Sequence, residues 1–117
     1  MKKILNDKPN IRKIYNKILD LKVKDISIFK SCKNNSLLDY ILICTANSKE
    51  HIKYIKYNFF NKSYIKNINF FINEDNLYEW IIIDLININI HIMQKHIRNY
   101  YLIDNLYREN YEIKYNI

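Results

Sequence analysis

Two hydrophobic periodicities run along the chain, and the points where one gives way to the other mark out its elements. Ile11, Ile14, Tyr15, Ile18 and then Leu21 or Lys22 recur at three-and-four spacing. "NIRKIYNKILDLKVKD" therefore predicts an amphipathic helix covering one face of a sheet. Asn10, just after Pro9, is its cap, because a short amide side chain accepts from the unsatisfied first N–H groups. "DISIF" reads as a short strand and "SCKNNSLLD" as a polar connection. "YILICTA", apolar almost throughout, reads as a central strand. Asn47 or Ser48 caps a second helix in which Ile52, Ile55 and Phe59 share a face, with Glu50 in the first turn, where the dipole favours a carboxylate. "INFFI" is a third or edge strand, and "NEDN" an acidic turn.

The segment "EWIIIDLININIHIM" alternates with period two, which predicts an antiparallel hairpin joined through Leu85 and Ile86. In that register Trp80 faces His91, Ile82 faces Asn89 and Asp84 faces Asn87. Trp80, Ile82, Asp84, Asn87, Asn89 and His91 then share one surface, while Ile81, Ile83, Ile88, Ile90 and Ile92 share the core face. The mixed surface has two readings. It is either the solvent side of a sheet, or an interface in which an aromatic, a carboxylate and an imidazole lie within reach of each other.

Composition narrows the function. Glycine is absent, which excludes the P-loop and the dinucleotide fingerprint, since both need backbone only glycine permits. Cys32 and Cys44 are too few and too oddly spaced for a zinc ribbon or a disulfide framework, and both read as free thiols. Neither a metal, a cofactor nor a catalytic residue is assigned. Apolar residues make up 49% of the chain, yet no run nears the roughly 20 that span a bilayer. "MKKILNDKPN" meets Asp7 and Pro9 before an apolar stretch can develop, so it is not read as a secretory signal. A single domain over residues 1–117 with no membrane partner is expected, in a bacterial-type cytoplasm with an organelle as the alternative.

The net charge of +7 has two explanations: coding from an A/T-rich genome, or an anionic partner such as RNA. Its distribution says more than its size. From Asn67 to Gln94 there is no Lys or Arg, while Glu74, Asp75, Glu79 and Asp84 all fall inside.

The order "SLLDYILICTANSKEH", "EWIIIDLININIHIM", "RNYYLIDNLY" resembles the ribosomal silencing factor family (RsfS, or Iojap). Ser36, Asp39, Tyr40, Thr45, Ser48, Trp80, Asp84, His91, Arg98, Tyr101, Leu106 and Tyr107 fall in register over residues 14–107. None is specific alone; their order and spacing are. The chain departs from the family in having Ala46 for a glycine, Ile86 for the hairpin glycine, Tyr107 for a tryptophan, and a positive net charge. Because a β-branched residue resists positive φ, Asn87 is expected to take the left-handed position of the turn.

The resemblance implies an α/β domain (mixed α+β) with a mixed sheet of about five strands, flanking helices and a C-terminal antiparallel hairpin. It implies a factor without catalytic activity that docks on a ribosomal protein at the joining face of the large subunit. There it blocks the small subunit and represses translation. It also implies a homodimer in the free state. Trp80, Asp84 and His91, with Arg98 and Tyr101, are expected to form or support the docking surface, and Asp39, Tyr40, Thr45 and Ser48 to be structural. An acidic segment within a basic chain suits a basic ribosomal partner.

Two other readings stay open. The lysine-rich helices would bind RNA directly, a secondary contact beside docking. A nucleotidyltransferase-like enzyme would use Asp39, Asp84 and His91 as metal or acid-base groups. The tail from residue 108 to 117 lies outside the resemblance, and is either disordered or covers a sheet edge.

Overall fold

In the computed structural model, which describes residues 10–31, 38–61, 71–74, 77–109 and 111–114, Asn10 opens the first helix. Its side chain accepts from the backbone N–H of Arg12 at 2.8 Å and of Lys13 at 3.3 Å. Helix α1 (Ile11–Asp20) buries Ile14 and Ile18. It ends through Lys22, which is left-handed at φ 66° where a glycine is usual.

Strand β1 (Lys24–Ser31) pairs antiparallel with β2 (Tyr40–Ala46). Helix α2 (Lys49–Asn61) follows, and Ser48 rather than Asn47 supplies the cap, its Oγ accepting from His51 N at 3.1 Å. The N–H of Asn47 is taken instead by His51 Nδ1 at 2.9 Å. Nε2 of the same ring therefore carries the proton, and it donates to the Leu21 carbonyl at 2.8 Å, tying the end of α1 to the start of α2.

Next come β3 (Phe71–Glu74), β4 (Trp80–Asp84), β5 (Ile88–Gln94), α3 (Lys95–Tyr101), α4 (Ile103–Arg108) and β6 (Tyr111–Lys114). Among the described residues these make one six-stranded mixed sheet, order β3-β4-β5-β2-β1-β6, and four helices. The α+β class with a mixed sheet is as expected, with one more strand than anticipated. Of the two readings of the tail, Tyr111–Lys114 follows the second: it is β6, which pairs with β1 from Ile28 to Ser31 and covers that edge. Strand β3 extends to Glu74, so the first half of the expected "NEDN" turn is strand. Residues 68–70, 75–76 and Cys32 lie outside the described residues. The hairpin is antiparallel but not terminal, since two helices and β6 follow it.

Strands β2 and β5 are parallel neighbours, so their carboxyl ends meet, Ala46 opposite Gln94. Both are covered on both faces, as parallel strands generally are. On one face Leu42, Cys44, Ile81, Ile83, Ile88, Ile90 and Ile92 pack with Ile14 and Ile18 of α1 and Ile52, Ile55 and Phe59 of α2. On the other, Phe29, Ile41, Ile43 and Met93 pack beneath Ile103, with Trp80, Ile97, Tyr107, Tyr111 and Ile113 at the margin. The fold is thus three layers: α1 and α2, the sheet, and α3 and α4.

The hairpin register differs from the expected one by two residues: Trp80 faces Met93, Ile82 faces His91 and Asp84 faces Asn89. A shift of two leaves every side chain on its expected face, because side chains alternate with period two. The turn also differs. Leu85 N donates to Ile88 O at 2.9 Å, and neither Ile86 nor Asn87 is among the residues with positive φ. A tertiary anchor replaces the local turn chemistry. The Asn87 carbonyl accepts from Asp39 N (2.8 Å) and Tyr40 N (3.2 Å), and its Nδ2 donates to Asp39 Oδ2 (2.9 Å).

Candidate docking surface

Arg98 organises the C-terminal helices. Its Nε and one terminal nitrogen donate to the two carboxylate oxygens of Asp104 at 2.9 and 2.8 Å. The guanidinium also reaches Ser27 Oγ (2.9 Å), Thr45 Oγ1 (2.9 Å) and the Asp25 carbonyl (2.6 Å). Asp25 presents that carbonyl from an irregularity in β1, where its φ is 50° and the register slips between Lys24 and Ser27. Ser27 Oγ in turn donates to Asp104 Oδ2 at 2.8 Å. One side chain thus joins α3 and α4 to β1 and β2. Burial pushes the Asp104 carboxyl up, but the hydrogen bonds from Arg98 and Ser27 and the nearby positive charges more than offset this and hold it below its ordinary range. Arg98 is therefore turned inward, a positioning residue and not an exposed contact.

His91 is also internal, only 4% exposed. The indole N–H of Trp80 donates to its Nδ1 at 3.1 Å, so the ring carries its proton on Nε2. Nε2 is buried without a hydrogen-bond partner, as is Asn89 Oδ1. Burial lowers the His91 pKa to about 4 against a weaker opposing pull from Asp104, and the ring is neutral near pH 7. The expected solvent-facing or contacting role of His91 is corrected accordingly: α3 and α4 roof this part of the face, because Ile97, Ile103 and Tyr107 need a partner layer. Aromatic rings then run outward from the second core. Tyr107 lies 5.9 Å from His91, His91 lies 5.9 Å from Trp80, Trp80 lies 5.4 Å from Tyr101, and Tyr101 lies 4.9 Å from Tyr100.

At the surface end of that series the apolar residues are open. Tyr100 is 77% exposed, Tyr101 56%, Leu102 58% and Leu106 61%. Leu102 links the two helices in a left-handed conformation, φ 51° and ψ 41°. Trp80 is half-buried at the foot of Tyr101. Asp84 does not join this cluster. It is exposed at the far end of β4, about 13 Å from Trp80 at a strand rise of about 3.3 Å per residue. The expected meeting of aromatic, carboxylate and imidazole is thus two-thirds present: Trp80 and His91 touch, and Asp84 lies apart.

Tyr100, Leu102 and Leu106 were not singled out from sequence as site residues. Only Leu106 carries a signal in the sequence: with Ile103 and Tyr107 facing the core, it is turned about 80° to one side of them around the helix, whereas Leu102, left-handed between the helices, has no helical face.

The four motif residues are structural in their contacts. Asp39 and Tyr40 hold the Asn87 turn, Thr45 accepts from Arg98, and Ser48 caps α2. Among the described residues no group of three or more His, Cys, Asp or Glu could hold a metal ion, so Asp39, Asp84 and His91 do not converge. Cys44 is a buried free thiol, pushed up to about 12 by burial despite the charge of Arg98.

Residues 6–117 match the family described as "Ribosomal silencing factor during starvation". The chain belongs to this family. The match extends past residue 107 and takes in β6. Two solved structures are similar in fold. A crystal structure of a protein from Chromobacterium violaceum has a TM-score of 0.71 and 24% identity, over 85% of this chain and 87% of that one. A crystal structure from Bacillus halodurans has a TM-score of 0.67 and 25% identity, over 82% of this chain and 90% of that one. Ribosomal silencing factors are regulatory and act on the ribosome. In this member of the family, the Arg98 clamp and the aromatic series place one apolar surface outward. Among the described residues no helix is long and apolar enough to cross a membrane.

Proposed function

We propose that this chain docks on the large ribosomal subunit through the surface around Trp80, Tyr101, Leu102 and Leu106, and thereby keeps the small subunit from joining. The observation that carries this reading is the row of exposed aromatic and leucine side chains on α3 and α4, held in place by Arg98. Monomeric proteins rarely leave such groups open together without a partner, and aromatic anchors dominate interface energetics. Glu79 adjoins Trp80 beside this face, and Asp84 lies further along β4. They would orient a basic ribosomal protein more than they add affinity. Arg98 and His91 support the surface from below. In the free state a second copy covers the same face, so docking and self-association compete. The site of action is the cytoplasm, and the outcome is repressed translation.

Sedimentation tests this directly. Purified protein should travel with isolated large subunits through a gradient and reduce their pairing with small subunits. Trp80→Ala combined with Asp84→Lys should abolish both effects. Wild-type protein that stays at the top of the gradient, or a double variant that sediments like wild type, refutes the reading.

A further inference from the structure

Charge is segregated between the two outer layers of the fold. Helices α1 and α2 hold Arg12, Lys13, Lys17, Lys49, Lys53 and Lys56 against Asp20 and Glu50, a net of +4, and Lys22 and Lys24 follow α1. Residues 77–109, which supply the docking face, hold Lys95, Arg98 and Arg108 against Glu79, Asp84, Asp104 and Glu109, a net of −1. Coding bias would scatter lysines over the surface; it would not gather them on one layer.

A cavity lies next to the start of α2. At the carboxyl ends of the parallel strands β2 and β5 lies a pocket of about 510 Å³, with Lys24, Lys95, His96, Asn47 and Asn99 on its wall. Asp25 is the one acidic residue of the lining, its backbone carbonyl held by Arg98, and the two lysines outnumber its carboxylate. The pocket is continuous with the helical layer, because Asn47 N is bound by His51, whose other nitrogen holds the end of α1. Crevices outside the carboxyl ends of parallel strands are where α/β sheets usually take ligands. Lysines and amides converging there, with Lys22 and Lys49 flanking the α1–α2 junction, suit an oxyanion. On α2, Tyr54 and Tyr57 are exposed among Lys49 and Lys53, the arrangement that stacks unpaired bases beside a bound backbone.

We propose that this end of the molecule binds the phosphodiester backbone of RNA, with a phosphate group seated in the pocket between Lys24 and Lys95 and the strand running along α2. RNA, rather than DNA, follows from the family's action on the ribosome. The α2 part of this contact lies on the opposite layer from the docking face, while the pocket takes Lys95, His96 and Asn99 from α3, the helix whose last residues include Tyr100 and Tyr101.

The test uses the full-length protein and a fluorescently labelled RNA hairpin of arbitrary sequence, followed by anisotropy between roughly 50 and 200 mM salt. Wild-type affinity should fall steeply with salt. Lys24→Glu with Lys95→Glu, and separately Lys49→Glu with Lys53→Glu, should each weaken binding about tenfold or more and flatten the log–log salt slope by about 2. Trp80→Ala should bind the hairpin like wild type, which separates this result from failure of ribosome docking. Thermal unfolding of each variant shows whether the fold is kept. Slopes unchanged in both lysine pairs would overturn the proposal. So would a DNA duplex of equal length binding as tightly.

Discussion

Arg98 grips Asp104 with two hydrogen bonds of 2.9 and 2.8 Å across the left-handed Leu102, so one ion pair sets the angle between the last two helices. Both side chains are mostly buried, 13% and 18% exposed. Removing one partner strands the other's charge. Arg98→Ala should therefore lower stability by about 3 kcal/mol, read from urea unfolding. Arg98→Lys keeps the charge but loses the paired geometry, and should recover only part of that loss.

Acid should lower the stability of the protein in two stages. His91 has a folded pKa lowered to about 4 from 6.5, so the unfolded chain binds the extra proton first. Stability is complete above about pH 6.5 and declines down to about pH 4, by about 3 kcal/mol in all. Asp104 is lowered below 3.8, so its contribution holds above that value and disappears as pH falls further. Urea midpoints followed by Trp80 fluorescence should report the first stage, while the native-state signal holds until the imidazole bonded to its indole N–H titrates near pH 4. A flat stability profile between pH 6.5 and 4 would contradict the buried, neutral His91.

Leu102 occupies a backbone conformation that L-residues with a Cβ avoid at a cost of roughly 1–2 kcal/mol. Leu102→Gly should relieve that cost, offset partly by glycine's greater freedom in the unfolded chain, for a net gain of about 0.5–1 kcal/mol. The same change removes an exposed apolar side chain. Higher thermal stability with weaker binding to large subunits is the expected pair of results.

Tyr101 and Trp80 should separate contact from support. Tyr101 is exposed, so Tyr101→Ala should weaken docking by about tenfold or more while the unfolding midpoint hardly moves. Trp80 also packs on the second core and donates to His91, so Trp80→Ala should lower both affinity and stability.

Cys44 should be inert. Its thiol is buried and pushed up to about 12, which leaves almost no thiolate at neutral pH. In a Cys32→Ser background, a thiol reagent should react only after denaturant is added, and the rate should track unfolding.

Local pattern determined the elements of this protein and the side of the sheet on which each residue lies. Ile11, Ile14 and Ile18 imposed a helix, the apolar run from Tyr40 to Ala46 imposed a buried strand, and alternation from Trp80 to Ile92 imposed two faces. These follow from the periods of 3.6 and 2, which the backbone enforces whatever the surroundings. The order of motif residues was enough to point to the family. Tertiary structure decided the rest, because it depends on groups distant in the chain. The hairpin register and turn were settled by Asp39 holding Asn87, 48 residues away. The open face became a second core only when Ile103 and Tyr107 folded back over His91. Arg98 is expected from sequence to form or support the docking surface, and five hydrogen bonds to four residues of β1, β2 and α4 turn it inward, since a guanidinium in a crowded site is stable only where every direction offers an acceptor.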